Sequence, residues 1–269
     1  MGKWTLDDIP WGEFDRSKLD PGILNLVKAA SLVERNGGDY TTYLCSVFHD
    51  DPEFQAAARL WGEEEIQHGE ALARWAALAD PSFDFQRCFQ RFAEKIQLPL
   101  TAAISVRVSR AGELVARCIV ETGTSSYYTA LAEASEEPVL QAICRRIAAD
   151  EFRHYKLFYT HLNRYVATEG LGTWGRIRVA LKRLQESEDD ELAFAYHTAN
   201  LGEVPYERRA ASRAYAKRAY ALYRPHHVER GIGMVLKAVG LVANGRLGRL
   251  VSGLAWRFMR HRARQLATV

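Results

Sequence analysis

Cysteine is scarce and scattered in this chain. The four residues, Cys45, Cys88, Cys118 and Cys144, include no Cys-x-x-Cys pair among 269 positions. That argues against a thiolate-built zinc or iron–sulfur centre and leaves buried free thiols of a reducing compartment as the expectation. Long apolar runs are missing as well. No stretch reaches the roughly 20 residues that a membrane-crossing helix needs. Residues 1–20 are mixed in charge and aromatic, with neither the basic nor the apolar region of a secretory signal. A cytoplasmic protein is expected. Alternating strand patterns and hairpin dipeptides are also lacking through residue 170, which leaves an all-helical body.

What is present is apolar matter at helical spacing, with 48% hydrophobic residues, enough for a sizeable core. Pro21 opens a stretch from Ile23 to Phe48, interrupted by Gly37-Gly38, where a kink or a widened turn is expected. Asp50-Asp51-Pro52 supplies an acidic cap and a first-turn proline for a helix to about Leu78. Residues 82–98 form a connector with Phe83, Phe85, Phe89 and Phe92, read as a short crossing helix. A third long helix is expected from about Leu100 to Ala134. After the break at Ser135-Glu136-Glu137-Pro138, a fourth runs from about Val139 to Val166, and Gly170 and Gly172 close the bundle. Beyond it come shorter amphipathic stretches at 173–187, 189–200, 205–223 and 226–263. The expected organisation is an N-terminal extension over 1–20, a four-helix bundle over 21–170 and a basic helical extension over 171–269.

Charge is unevenly spread beneath a net +3. Residues 201–269 hold 14 Lys+Arg and 3 Asp+Glu, whereas residues 1–200 hold 22 and 30. An acidic body with a basic tail suggests an anionic partner. The run Gly231 to Trp256 is too charged to span a bilayer but suits a membrane surface, burial against the bundle or a dimer contact.

The most informative pattern occurs twice. Glu34 precedes Glu65-Ile66-Gln67-His68 by 31 residues, and Glu121 precedes Glu151-Phe152-Arg153-His154 by 30. Residues three apart share a helix face, so each Glu-x-x-His pair can aim at one point in the core. Four inward carboxylates would destabilise a dry core unless cations neutralised them. Two divalent ions offset four carboxylates and leave two neutral imidazoles to complete the set, the ligand inventory of a carboxylate-bridged di-iron site in a bundle. Glu65 and Glu151 are expected to bridge, with Glu34 and Glu121 each reaching one metal. Oxygen and nitrogen donors without thiolate suit iron or manganese.

Other residues carry two readings. One Glu-x-x-His alone is more often a solvated pair than a ligand pair, and only its repetition argues for metal. Glu63 and Glu70 are read as solvated, Glu64 as ambiguous. Asp150 is either an acceptor for a ligand histidine or a surface charge. Thr124 either places a hydroxyl beside the metals or bonds its own helix backbone. Tyr127 and Tyr128 are read as packing or as the border of an oxygen pocket. His161 is read as core or surface. His49, His197, His226, His227 and His261 have no carboxylate at ligand spacing.

At these residues the chain resembles the soluble acyl-carrier-protein desaturases of the ferritin-like di-iron superfamily. Trp61 to Leu72 is similar to the pattern W-x-x-E-E-x-x-H-G-(D/E)-x-L, and Ile143 to His154 to I-C-x-x-I-A-A-D-E-x-R-H. Glu121 with Thr124 matches that family's glutamate and the threonine one turn later, and Glu34 matches by position. The resemblance covers about residues 25–165. It implies a ferritin-like bundle holding two irons, O2 as co-substrate, and a homodimer. It also implies electrons from a ferredoxin-like donor and an acyl chain, desaturated or hydroxylated beside the metals. The basic tail would then dock an acyl carrier protein. Competing expectations keep the bundle but change the chemistry: oxygenation of a small amine, hydroxylation of an RNA nucleoside gripped by the basic tail, ferritin-like iron storage, or rubrerythrin-like peroxide handling. The missing Cys-x-x-Cys module argues against the last.

Overall fold

The computed structural model describes residues 3–186, 190–202, 204–243 and 245–267. Among them there is no strand; the chain is all-α. The bundle consists of α1 (Pro21–Arg35), α3 (Pro52–Ala79), α5 (Arg110–Ala134) and α6 (Pro138–Glu169), with α2 (Gly37–Val47) continuing α1 after a break. Helix starts follow local chemistry. Asp20, Asp51 and Ser109 each accept a backbone N–H of the first turn, and proline occupies the first turn of α1, α3 and α6. Gly170, at φ 68°, ends α6 in the left-handed conformation.

Two expected helices start or end elsewhere. Residues 100–109 are a loop, not the first turns of α5. Ser109 caps the helix at Gly112, and the Glu169 carboxylate accepts the Arg110 and Ala111 amides. The Ser105 and Ser109 hydroxyls thus compete with helical bonding, and Val108 adopts φ 73°. The stretch 226–263 is two helices, α10 (Pro225–Ala238) and α11 (Arg246–Ala267). Gly240, at φ 82°, lets the Leu241 amide reach back to Leu236 O at 2.8 Å, a left-handed helix terminus that only the glycine accommodates without strain. The connector 82–98 contains α4 (Phe85–Lys95), with Phe92 fully buried.

The core is two apolar clusters. One includes Leu26, Leu32, Leu72, Trp75, Leu131 and Ile143; the other includes Leu44, Phe48, Phe54, Leu114, Phe158 and Leu162. Along every bundle helix the chain passes from one cluster to the other through the predicted ligand glutamates. The polar layer is therefore a belt between two oily ends.

The flanking segments pack on this body. Residues 3–20, in three short 3-10 turns, run across it: Arg16 donates to the Leu78 and Ala79 carbonyls that end α3, and Trp4 reaches the belt. Behind the bundle, α7 (Thr173–Glu186) and α10 pack on α5, α8 (Asp190–Asn200) packs on α1, and α9 (Arg208–Leu222) on α8. Helix α11 is outermost, against α9 and α10. Among the described residues no helix is long and apolar enough to cross a membrane. Cys118 and Cys144 are buried, Cys45 and Cys88 half-buried, and all four are free thiols.

Close helix approach around the belt depends on glycine. A Cβ on Gly69 would lie 2.6 Å from the Arg35 amide nitrogen and 2.8 Å from its Cα. A Cβ on Gly37 would lie 2.4 Å from the Cβ of Glu65, a clash below the range real side chains tolerate. These contacts hold α1 and α2 against α3. Gly69→Ala should therefore destabilise the protein by about 1–3 kcal/mol through overpacking. Gly123→Ala, in α5 with open space around it, should stabilise by about 0.5–1 kcal/mol. Chemical denaturation of both variants checks this, and equal effects would refute the close-approach account.

Candidate metal centre

Each bundle helix delivers its part of the belt at the same level. Glu34 comes from α1, Glu65 and His68 from α3, Glu121 from α5, and Glu151 and His154 from α6. They form two groups that could hold a metal ion: Glu34, Glu65, His68 and Glu151, and Glu65, Glu121, Glu151 and His154. Within each group the ligand atoms lie within 4.8 Å of one another. Glu65 and Glu151 belong to both, as the expected bridging positions require. The arrangement is compatible with a di-metal site.

The donor atoms fit that use. Each of the six side chains has one buried atom without a hydrogen-bond partner: Glu34 Oε2, Glu65 Oε1, His68 Nδ1, Glu121 Oε2, Glu151 Oε1 and His154 Nδ1. These atoms face one another, with His68 Nδ1 3.2 Å from Glu151 Oε1 and 3.6 Å from Glu34 Oε2, and His154 Nδ1 3.0 Å from Glu65 Oε1 and 3.6 Å from Glu121 Oε2. Buried polar atoms are normally satisfied. Six orphans converging on one spot could hold cations.

The outward atoms of the same side chains are held. His68 Nε2 lies 3.1 Å from Asp150 Oδ2, and His154 Nε2 lies 2.7 Å from Glu64 Oε2. A carboxylate only accepts, so Nε2 of each ring carries a proton and Nδ1 faces inward, with its lone pair free for a cation when the ring is neutral. Trp4 Nε1 also donates to Asp150 Oδ2 at 2.6 Å, and its ring stacks on His68. Arg153 joins both outer carboxylates, 2.5 Å from Asp150 and 3.4 Å from Glu64. The Tyr128 hydroxyl donates to Glu34 Oε1 at 2.5 Å, and the Thr124 hydroxyl donates to Glu151 Oε2.

The pattern among these partners is crossed. Asp150, beside the ligand Glu151, orients the histidine of the other motif, and Glu64, beside Glu65, does the reverse. Of the two readings for Asp150, the acceptor is the one observed. Glu64 takes the same role, which single-residue reasoning left undecided. The doublets Glu64-Glu65 and Asp150-Glu151, repeated at the same place in both motifs, were the available signal. The Thr124 hydroxyl also lies 3.3 Å from the Val120 and Glu121 carbonyls of its own helix, so the backbone contact is present beside the one to Glu151. Trp4 had no signal, because its segment has no periodicity.

Protons balance the belt when metal does not. Burial, followed by the neighbouring Glu151 charge, raises Glu121 to about 7. Burial, then Glu151 and Glu34, raises Glu65 well above the usual carboxylate range. For His68 and His154, burial pulls the pKa down, but the surrounding carboxylates outweigh it and raise both well above the ordinary value. Burial also works against ionisation of Asp150, yet hydrogen bonds from His68, Arg153 and Trp4 bring it down to about 2. Glu64 is likewise lowered, the burial penalty being outweighed by His154 and Arg153. Asp150 and Glu64 thus stay charged while Glu65 and Glu121 favour their protonated forms.

One expectation is corrected. His226 and His227 do have a carboxylate: both lie 3.1 Å from Glu133, across α10 and α5. Spacing along the chain could not show it, because Glu133 is 93 residues from His226 and one more from His227. This trio is nonetheless a poor cation site. The Arg224 amide donates to His227 Nδ1 at 3.0 Å, so the ring's proton sits on Nε2, the atom facing Glu133. His161 faces Arg164 and Phe54, away from the belt.

Two outcomes follow. Glu64→Gln and Asp150→Asn should each weaken Mn2+ binding by roughly tenfold to a hundredfold while leaving the fold intact; unchanged affinity in both by calorimetry would remove the orienting role. For pH, Glu121 has a raised folded-state pKa, so its stabilising proton is fully held below about 4.5 and lost as pH rises through about 7. The Tm of metal-free wild type minus that of Glu121→Gln should therefore fall between about pH 5 and pH 8. The Tm gain on adding Mn2+ should grow over the same range as metal displaces protons. A flat or rising difference would show that Glu121 does not hold that proton.

No family model and no curated protein matches this chain.

Proposed function

We propose that this protein is an O2-dependent non-haem di-iron oxidoreductase, of desaturase or hydroxylase type, that oxidises an acyl chain. The observation that carries the reading is the sharing of Glu65 and Glu151 between two four-residue groups, each completed by an imidazole with its Nδ1 turned inward. A single structural ion would need one group, and a zinc staple would favour thiolates. The all-oxygen-and-imidazole donor set suits iron or manganese. Two ferrous ions held there would supply the electrons and Lewis acidity for reducing O2 and oxidising an unactivated C–H bond.

The chain's own groups prepare that chemistry. Asp150 and Glu64 hold the imidazoles in one tautomer and one orientation, so neither ring must reorganise. Tyr128 fixes the outer oxygen of Glu34. Thr124 places a hydroxyl proton on Glu151 Oε2, the protic group from α5 that meets a shared carboxylate. The apolar clusters on either side keep bulk water from the belt. Neither of the two surface clefts, one beside Lys3, Glu63 and Glu70 and one beside Asp50, Arg110 and Arg164, is lined by a ligand residue. The acyl substrate class rests on the two sequence motifs and on the oily surroundings, and a ferredoxin-like protein is the electron donor the reading requires.

The test is anaerobic loading with Fe2+, exposure to O2 and Mössbauer spectroscopy, for wild type and for Glu65→Ala/Glu151→Ala. Two coupled ferric ions per chain, lost in the double variant, are expected. The same metal content in both proteins would sink the reading. With reductant and acyl thioesters, mass spectrometry should show products with two fewer hydrogens or one more oxygen. Thr124→Val should slow this turnover on the order of a hundredfold while metal content stays unchanged. An intact coupled centre without acyl oxidation would remove the substrate class and leave the metal assignment standing.

A further inference from the structure

Helix α11 is the outermost element, and its outward face is unusual. Leu247, Leu250, Leu254 and Phe258 recur at helical spacing and are 50%, 61%, 54% and 65% exposed. Val242, just before the helix, is 75% exposed. The opposite face, with Gly248, Val251, Ser252, Ala255, Met259 and Ala263, is the one turned toward the protein. Beside the apolar stripe on the outward side run Arg246, Arg249, Arg257, Arg260 and Arg264, all exposed. Arg262 lies on the packed side. The whole of Arg246–Ala267 contains six arginines and no Asp or Glu.

We propose that α11 docks this protein on an anionic lipid bilayer, lying flat with its leucine–phenylalanine stripe at the headgroup–acyl boundary and its arginines on lipid phosphates. A helix with a large apolar stripe, a strongly cationic flank and low overall hydrophobicity is the form that interfacial binding selects. Exposed apolar patches of this kind normally meet a partner. The charge decides which partner. Pairing with a second copy through this face would bring two arginine-only flanks together, and like charges at a contact cost affinity. RNA would meet the arginines but leave the stripe in water. A bilayer surface satisfies both halves at once. The face is also a convex ridge, one helix standing on α9 and α10, which a deformable layer can cover. The acidic body, at −8 over residues 1–200 against +11 over 201–269, is repelled by the same surface and orients away from it. This inference is independent of the metal centre and holds for protein without iron.

Vesicle flotation tests it on the full chain. Wild type should float with vesicles of equal parts phosphatidylcholine and phosphatidylserine and stay behind with phosphatidylcholine alone. Leu254→Ser/Phe258→Ser should lower the bound fraction's partition coefficient by about tenfold or more, because two large side chains no longer leave water. Arg249→Glu/Arg257→Glu should abolish binding. All four positions are exposed, and unchanged circular dichroism and Tm establish that the variants are folded. Wild type that fails to float with anionic vesicles overturns the proposal, including the case in which an acidic acyl carrier protein binds α11 instead. So does flotation indifferent to Leu254→Ser/Phe258→Ser, which would be charge adhesion alone. A dimer that the same variant converts to monomers, without vesicle binding, would assign the face to a second copy.

Discussion

Four carboxylates and two imidazoles share one buried layer, and the mutual repulsion of the carboxylates is the constraint that the rest of the bundle accommodates. Left alone, such a layer would be expelled to solvent or flooded with it. It persists because three sources of positive charge are available: protons on Glu65, Glu121 and the histidines, the Arg153 guanidinium behind Asp150 and Glu64, and cations in the centre. The apolar clusters on both sides raise the cost of every uncompensated charge. They also sharpen the site, since a low local dielectric strengthens each hydrogen bond that orients a ligand. Glycine then does what a larger residue cannot, bringing the backbone of α1 and α2 close enough to α3 for Glu34 to share the level of Glu65 and His68.

The helices and the belt were readable from the chain because both depend on short-range periodicity. Glu-x-x-His is a one-face statement, and repeating it with a preceding glutamate at matched distance makes the assembly almost forced. The break at Asn36, one residue before the expected Gly37-Gly38, and the starts at Asp51-Pro52 and Glu137-Pro138 are likewise local chemistry. The start of α5 was misplaced by ten residues for the opposite reason. The apolar residues of 100–109 suit a helix, but Ser109, Glu169 from the far end of α6 and the left-handed Val108 end it there. The partners of the ligands were partly hidden for the same reason. Trp4 against His68 and Glu133 against His226 are contacts between segments distant along the chain, which no spacing rule encodes.

The C-terminal third divides into two roles that composition alone could not separate. Helices α7, α8 and α10 cover α5 and α1, thickening the wall behind the belt, and α9 backs α8. Helix α11 packs on α9 and α10 rather than on that wall and keeps Leu247, Leu250, Leu254 and Phe258 in solvent. The charge asymmetry along the sequence thus becomes a spatial one, with six of the C-terminal arginines on the outermost helix.

The crossed pairing of Asp150 with His68 and of Glu64 with His154 makes the two motifs one unit of inheritance. Neither Glu-x-x-His segment can orient its own histidine; each borrows the acid of the other. A change in the acid of one motif is therefore felt at the histidine of the other, so neither half of the layer is built independently of its partner. The near-twofold arrangement that looks like redundancy is mutual dependence, and it sets how narrowly these two helices can vary together.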